Sequence, residues 1–164
     1  MIQAIENFFL ETVGRELCVL ICSMLPVIEL RGAIPLGAAL GMPLGQTFLL
    51  SIVGNLIPVP FILLLIRWVI GVMKKVKGLC RVARFLEEKV EKKREKVEQY
   101  AFWGLLLFVA IPLPGTGAWT GSMIAGVTGM PFRRAMLSVL GGVLVAGIIM
   151  TAISYGVVAV FQWM

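Results

Sequence analysis

Between Phe102 and Met164 the chain carries only two charges, the adjacent Arg133 and Arg134. A run of about 20 apolar residues suffices to cross a bilayer, so this part of the chain is committed to an apolar environment. Inside it lies IPLPGTGAWTGSMIAGVTGMP, residues 111–131, where prolines and glycines interrupt any continuous helix. Gly115, Gly117 and Gly121 give the stretch the look of a phosphate loop, but no strand or βαβ unit precedes it. The apolar flanks point to irregular backbone at membrane depth, which survives only where protein or a water-filled cavity satisfies its polar groups.

The rest of the composition agrees. Of 164 residues 59% are hydrophobic, mean hydropathy is +0.96, and the 15 Lys and Arg outnumber nine Glu for a net charge of +6. Ten of the basic residues fall between Lys74 and Lys96, a single block rather than a basic surface. In a membrane protein such a block marks a cytoplasmic loop near anionic lipid, and the apolar flanks argue against nucleic acid. With no histidine, a His-based triad, a zinc-peptidase motif and a His proton relay are all excluded. Cys18 and Cys22 lie four apart on one helix face and Cys80 sits in the basic block, a pattern of ordinary small residues rather than metal ligands or a disulfide. No cofactor, no metal and no enzymatic constellation is expected. Glu6, Glu11 and Glu16 near the start do not suit a signal peptide, and residues 1–14 read instead as an interfacial amphipathic helix.

Four apolar stretches follow. Residues 44–66 and 135–164 read as full transmembrane helices, the first kinked near Asn55 by Pro58 and Pro60. Residues 17–42 and 102–130 each hold about 12 clean apolar residues, a Pro/Gly break and a second apolar arm. An arm of that length reaches about 18 Å, short of a ~30 Å hydrocarbon core, and suits a re-entrant hairpin. A shift of 88 residues superposes Leu25-Pro26 on Leu113-Pro114, Gly41-Met42-Pro43 on Gly129-Met130-Pro131, and Gly54 on Gly142. The fold expected is therefore an all-α integral membrane protein, one membrane domain built as an inverted repeat. Each half, 15–73 and 99–164, is a re-entrant hairpin plus one transmembrane helix, joined by a basic cytoplasmic amphipathic linker helix over 74–98. Lys74 to Lys96 inside places Arg133-Arg134 inside and both termini outside.

Glu29 and Arg31, in LPVIELRGAIPLG, are the ionisable residues set deep in an apolar segment. Each costs roughly 2.5–3.5 kcal/mol at a bilayer centre, so a substrate or ion role is the default. Two residues apart, they point away from each other on a helix and cooperate best on an unwound tip. A structural ion pair closing the hairpin is the alternative. The second hairpin has Gly117 and Trp119 at the matching places, with Gly115, Thr116, Thr120 and Ser122 beside them. A helix starting near Ala118 would aim its amides at an anion. Glycines four apart, Gly37, Gly41 and Gly45, and Gly117 and Gly121, equally suit close helix packing.

The stretches ELRGAIPLGAALGMPLG and PLPGTGAWTGSMIAGVTGMPFRRA resemble the small multidrug export protein family, itself similar at a distance to the DedA/VTT superfamily. The resemblance covers about Arg15 to Tyr155. It implies a prokaryotic plasma-membrane transporter with facing hairpins, and its DedA side implies movement of a lipid-linked phosphate such as undecaprenyl phosphate, coupled to protons. On that analogy Glu29 matches the embedded acid, and Arg133 or Arg134 the basic position after the second hairpin, although the chain is shorter than DedA proteins and lacks a second embedded acid. Export of cationic drugs through Glu29 and Trp119, and a non-transporting scaffold acting through the basic linker, are the other readings. The small-residue faces are compatible with a homodimer.

Overall fold

The structure, a computed structural model, describes residues 14–75, 94–113 and 115–163. The expected interfacial helix at residues 1–14 falls almost wholly outside them, as does most of the linker, residues 76–93. The described residues are all helical or in connections between helices. The chain divides into two compact units, Met1–Ile57 with Val143–Met164, and Pro58–Gly142.

In the first unit, α1 is described over residues 14–24, and a turn at residues 25–28 leads into α2, Glu29–Ala39. A second turn leads to α3, Leu44–Leu56, and the C-terminal part of the long helix α7, Phe132–Trp163, completes the unit. Val19 of α1, Ala33 of α2 and Met42 form its buried cluster, with Cys22, Leu40 and Leu50 packed around them. Cys18 is exposed, so only Cys22 of that pair joins the interior. The second unit holds α4, Pro58–Lys75, α5, Arg94–Ala110, α6, Ala118–Val127, and the N-terminal part of α7. Here α6 packs against α4 and α5.

Both helix–break–helix segments are present, with breaks at residues 25–28 and, among the described residues, at 111–113 and 115–117. The arms after the breaks are short, 11 residues for α2 and 10 for α6, whereas the helix before the second break, α5, has 17. The connections after them are alike bond for bond. Gly41 has φ +69 and Gly129 φ +71, conformations that favour glycine. Met42 N–H donates to Gly37 O at 3.0 Å and Gly41 N–H to Ala38 O at 3.1 Å. Eighty-eight residues on, Met130 N–H donates to Ala125 O at 3.0 Å and Gly129 N–H to Gly126 O at 3.2 Å. This 6→1 and 5→2 pairing ends a helix by satisfying its last carbonyls. Pro43 and Pro131 then start the next helix, their carbonyls accepting from Thr47 and Ala135 N–H at 3.0 and 2.9 Å.

The stretch Leu44–Val69 is apolar enough to cross a membrane but is made of two helices. The kink expected near Asn55 falls at Ile57, which keeps helical φ −53 and ψ −48 and donates to Val53 O at 3.0 Å. Pro58 has no N–H to continue the ladder, so the chain is weakened there and not unwound. Phe132–Val157 is the other candidate span, and in each candidate only 39% of the apolar window is buried within the protein. Leu49, Phe61, Leu64 and Ile148 are all more than half exposed. An apolar surface that continuous needs lipid or a partner around it.

The glycine spacing proves to mix three jobs. A side chain on Gly37 would meet Thr47 at 2.4 Å, and one on Gly121 would meet Val109 at 2.5 Å, so these two do allow close packing. Gly41 makes its turn with open space around it, and Gly45 has nothing within 4 Å. Gly54 and Gly142 carry the tightest approaches to backbone, to Leu20 O at 2.6 Å and Leu106 O at 2.8 Å.

Candidate functional site

In the first unit the turn at residues 25–28 delivers Glu29 to the first residue of α2. Glu29 is 5% exposed, and at φ +51 it is the one non-glycine with positive φ among the described residues. Its N–H donates to Leu25 O at 2.9 Å, which closes the tip. A left-handed conformation costs an L-residue roughly 1–2 kcal/mol, and burying a carboxylate costs more. Two penalties on one residue are the mark of a functional position. The carboxylate acts electrostatically on the Arg31 guanidinium, two residues on and partly exposed. Both charges thus belong to the first turn of α2. The sequence favoured an unwound tip for their cooperation; the unwound residues are 25–28, and the left-handed φ falls at Glu29 itself, the first residue of α2.

A second set of polar groups in this unit escaped the sequence reading. Thr47, Ser51 and Asn55 lie four apart on α3, at 0%, 0% and 1% exposure. Thr47 touches α2 at Gly37, and its hydroxyl is hydrogen-bonded to the Tyr155 hydroxyl of α7 at 2.8 Å. The upper end of the stripe therefore lies between α2 and α7. Ser51 Oγ and both polar atoms of the Asn55 amide have no hydrogen-bond partner within the protein, and neither has Thr151 Oγ1 on α7. Because α2 and α3 are joined by a tight turn with Gly37 on Thr47, four-residue steps bring Ala33 level with Ser51, and Glu29 level with Asn55. Gly54 gives a second register mark, since it lies against Ser23 and Leu20 near the tip end of α1.

The second unit has the same frame with different contents. The positions matching Thr47 and Ser51 are Ala135 and Val139 of this unit, and Asn55 matches Val143, which falls in the first unit; all three are fully buried. Its tip, residues 111–117, is held by the Thr116 hydroxyl, which donates to Ile111 O at 2.8 Å and Leu113 O at 3.0 Å, and Gly115 takes φ +85. Gly117 is the N-cap and α6 starts at Ala118, as its sequence suggests. Ser122 spends its hydroxyl on Ala118 O, one turn back. Trp119 and Thr120, in the first turn of α6, are half-buried. Arg133 and Arg134 are exposed in the first turn of α7. They lie beyond the far end of α6, whose ten residues span about 15 Å, so the structure does not gather them with Gly115, Thr116 and Gly117.

Two further residues close the frame. Tyr155 Oη donates to Met42 O at 2.8 Å in the first unit. In the second, Arg67 donates to Met130 O and sets its guanidinium 5.8 Å from the centre of the Phe132 ring. Tyr155 and Met130 stand 88 residues after Arg67 and Met42, so the two bonds join equivalent positions. A four-residue rhythm of Thr, Ser and Asn in an apolar helix is legible in the sequence, but uncharged groups draw less notice than Glu29.

The model of a family described as "putative small multi-drug export protein" matches residues 29–149. No curated protein and no solved structure matches the chain.

Proposed function

The chain belongs to the small multidrug export family, and from that premise we propose that it is a plasma-membrane transporter in which Arg31 engages an anionic head group and Glu29 carries a proton. The observation that carries this reading is the buried Glu29 beside the partly exposed Arg31 on the tip of a short hairpin. The more accessible cation suits a ligand arriving from outside the unit, whereas a sequestered carboxylate suits a proton better than a bulky substrate. A lipid-linked phosphate of the undecaprenyl type, or a small amphiphile with a similar head, has the matching charge. In the second unit, the start of α6 after Gly117 favours an anion through its helix-start amides.

The bond-for-bond recurrence of the Gly-Met-Pro turns at an offset of 88 supports an inverted repeat of two re-entrant hairpins. Alternating access at the hairpins, with the basic linker cytoplasmic near anionic lipid and both termini outside, completes the proposal. A cationic drug is the second substrate class, and it would compete with Arg31 for Glu29.

Reconstitution into vesicles with a labelled polyprenyl phosphate and, separately, a cationic dye tests this. Arg31→Ala should abolish movement of the phosphate, and Glu29→Gln should remove its dependence on a proton gradient. Transport of the dye alone, lost in Glu29→Gln and kept in Arg31→Ala, selects the drug reading. Wild-type transport by both variants removes these residues from the mechanism.

A further inference from the structure

We propose that Thr47, Ser51 and Asn55 form a hydrated polar track along which protons move between Tyr155 and Glu29. The proposal rests on the reading of Glu29 as the proton carrier. Burying three neutral polar groups in one stripe is costly unless each finds a partner, yet Ser51 Oγ and both ends of the Asn55 amide have none within the protein. The frame does not demand them. Ala135, Val139 and Val143 fill the same positions 88 residues later, fully buried and apolar. Where the second unit does bury serines, their hydroxyls are spent on backbone, Ser122 on Ala118 O and Ser138 on Phe102 O. Unpartnered buried hydroxyls and amides among the described residues are confined to the first unit.

The geometry suits a water chain. Side chains four apart on a helix stand about 5–6 Å from one another at Cβ, too far for a direct bond and right for one bridging water. From Thr47 to Asn55 the stripe descends eight residues, about 12 Å, which is close to half of a ~30 Å hydrocarbon core. Its upper end is fixed by the Tyr155–Thr47 bond, beside the turn at Met42. Its lower end is level with Glu29. The neighbouring elements bring few other ionisable groups: α3 has none, α2 has Arg31, α7 has Tyr155 within this unit, and described α1 has Arg15, Glu16, Cys18 and Cys22. The hydroxyls of Thr47 and Ser51 and the bridging waters pass the proton, each breaking one O–H bond as the next forms, while the Asn55 amide holds water by hydrogen bonds and transfers no proton itself.

The infrared carbonyl band of protonated Glu29, assigned by its loss in Glu29→Gln, gives a readout independent of transport. Full-length protein in lipid vesicles is transferred to deuterated buffer at a pH where the band is present, and its isotope exchange is timed. Ser51→Val with Asn55→Val installs what the second repeat already packs, and should slow exchange about tenfold or more, as one lost relay step adds to the barrier. Asn55→Ser, which puts a water-binding hydroxyl in place of the amide, should exchange within about threefold of wild type on the same scale. Unchanged exchange in the folded double-valine variant overturns the track. So does loss of folding in that variant, which would make the stripe a structural requirement. If Glu29→Gln transports normally, the coupling proposed above fails while the exchange rate still decides this one.

Discussion

The Tyr155 hydroxyl donates to the carbonyl of Met42 at 2.8 Å, and Met42 is the residue before Pro43. Proline offers no N–H, and the Met42 carbonyl lies between the end of α2 and the start of α3, outside both helical ladders. A donor from another helix satisfies it. Arg67 does the same for Met130, which precedes Pro131. Two different residue types thus solve one backbone problem at equivalent positions, and both belong to the Tyr, Trp, Lys and Arg set that anchors span ends at membrane interfaces.

Removing these donors should cost stability unequally. Tyr155→Phe keeps the ring and loses neutral bonds to Met42 and Thr47, about 1 kcal/mol each at most. Arg67→Met loses a charged donor, worth roughly 1.5–3 kcal/mol, together with its contact over Phe132. Unfolding midpoints in mixed micelles should therefore fall further for Arg67→Met. Equal midpoints would mean that the charge adds nothing at this site.

Glycine substitutions separate packing from mere spacing. In Gly54→Ala the new Cβ meets Ser23 Oγ at 1.9 Å and Leu20 O at 2.6 Å, and backbone cannot step aside. Overpacking of this kind costs about 1–3 kcal/mol. Gly142→Ala meets Leu106 O and Val109 and should behave similarly. Gly45→Ala, on α3 with open space around it, should instead gain about 0.5–1 kcal/mol from helix propensity. Thermal unfolding of the three variants checks the order, and a stabilised Gly54→Ala would contradict the close approach.

Much of this architecture is legible from residue types because the physics is local. Clustered Pro and Gly break helices where single ones such as Pro35 and Pro60 are accommodated, so the break around 111–113 and 115–117 and the start of α6 follow from the sequence, and the break at residues 25–28 falls at Pro26. Glu29 stands out because a carboxylate in an apolar run is expensive. The reach of Tyr155 to Met42 spans 113 residues, and no periodicity announces it. The stripe at Thr47, Ser51 and Asn55 is periodic, but burial makes it informative, and burial depends on which face α2 and α7 cover. Gly41 and Gly45 show the converse error, since their spacing suggests packing where the neighbours are absent.

The polar stripe should trade function against stability. Exchanging an unpartnered buried polar group for an apolar one of similar size is nearly neutral or stabilising. Ser51→Val with Asn55→Val is therefore expected to unfold no earlier than wild type, while proton-driven transport falls. A variant that loses more than about 1 kcal/mol would show that the stripe has partners worth a hydrogen bond each.

Glu29 allows a sharper test, because its backbone is strained independently of its charge. At an ordinary helical position Gly is about 1 kcal/mol worse than Ala. At φ +51 the preference reverses, since the left-handed region costs an L-residue roughly 1–2 kcal/mol and glycine nothing. Both Glu29→Ala and Glu29→Gly remove the carboxylate and should abolish proton-driven transport alike. They differ only at the Cα, so Glu29→Gly should unfold later than Glu29→Ala by about 1 kcal/mol. The matching residue of the second repeat, Gly117, is extended at φ −121, so at this position the left-handed turn belongs to the first repeat alone. If Glu29→Ala proves the more stable of the two, the left-handed turn is not held at that residue, and backbone strain no longer marks Glu29 as a functional position.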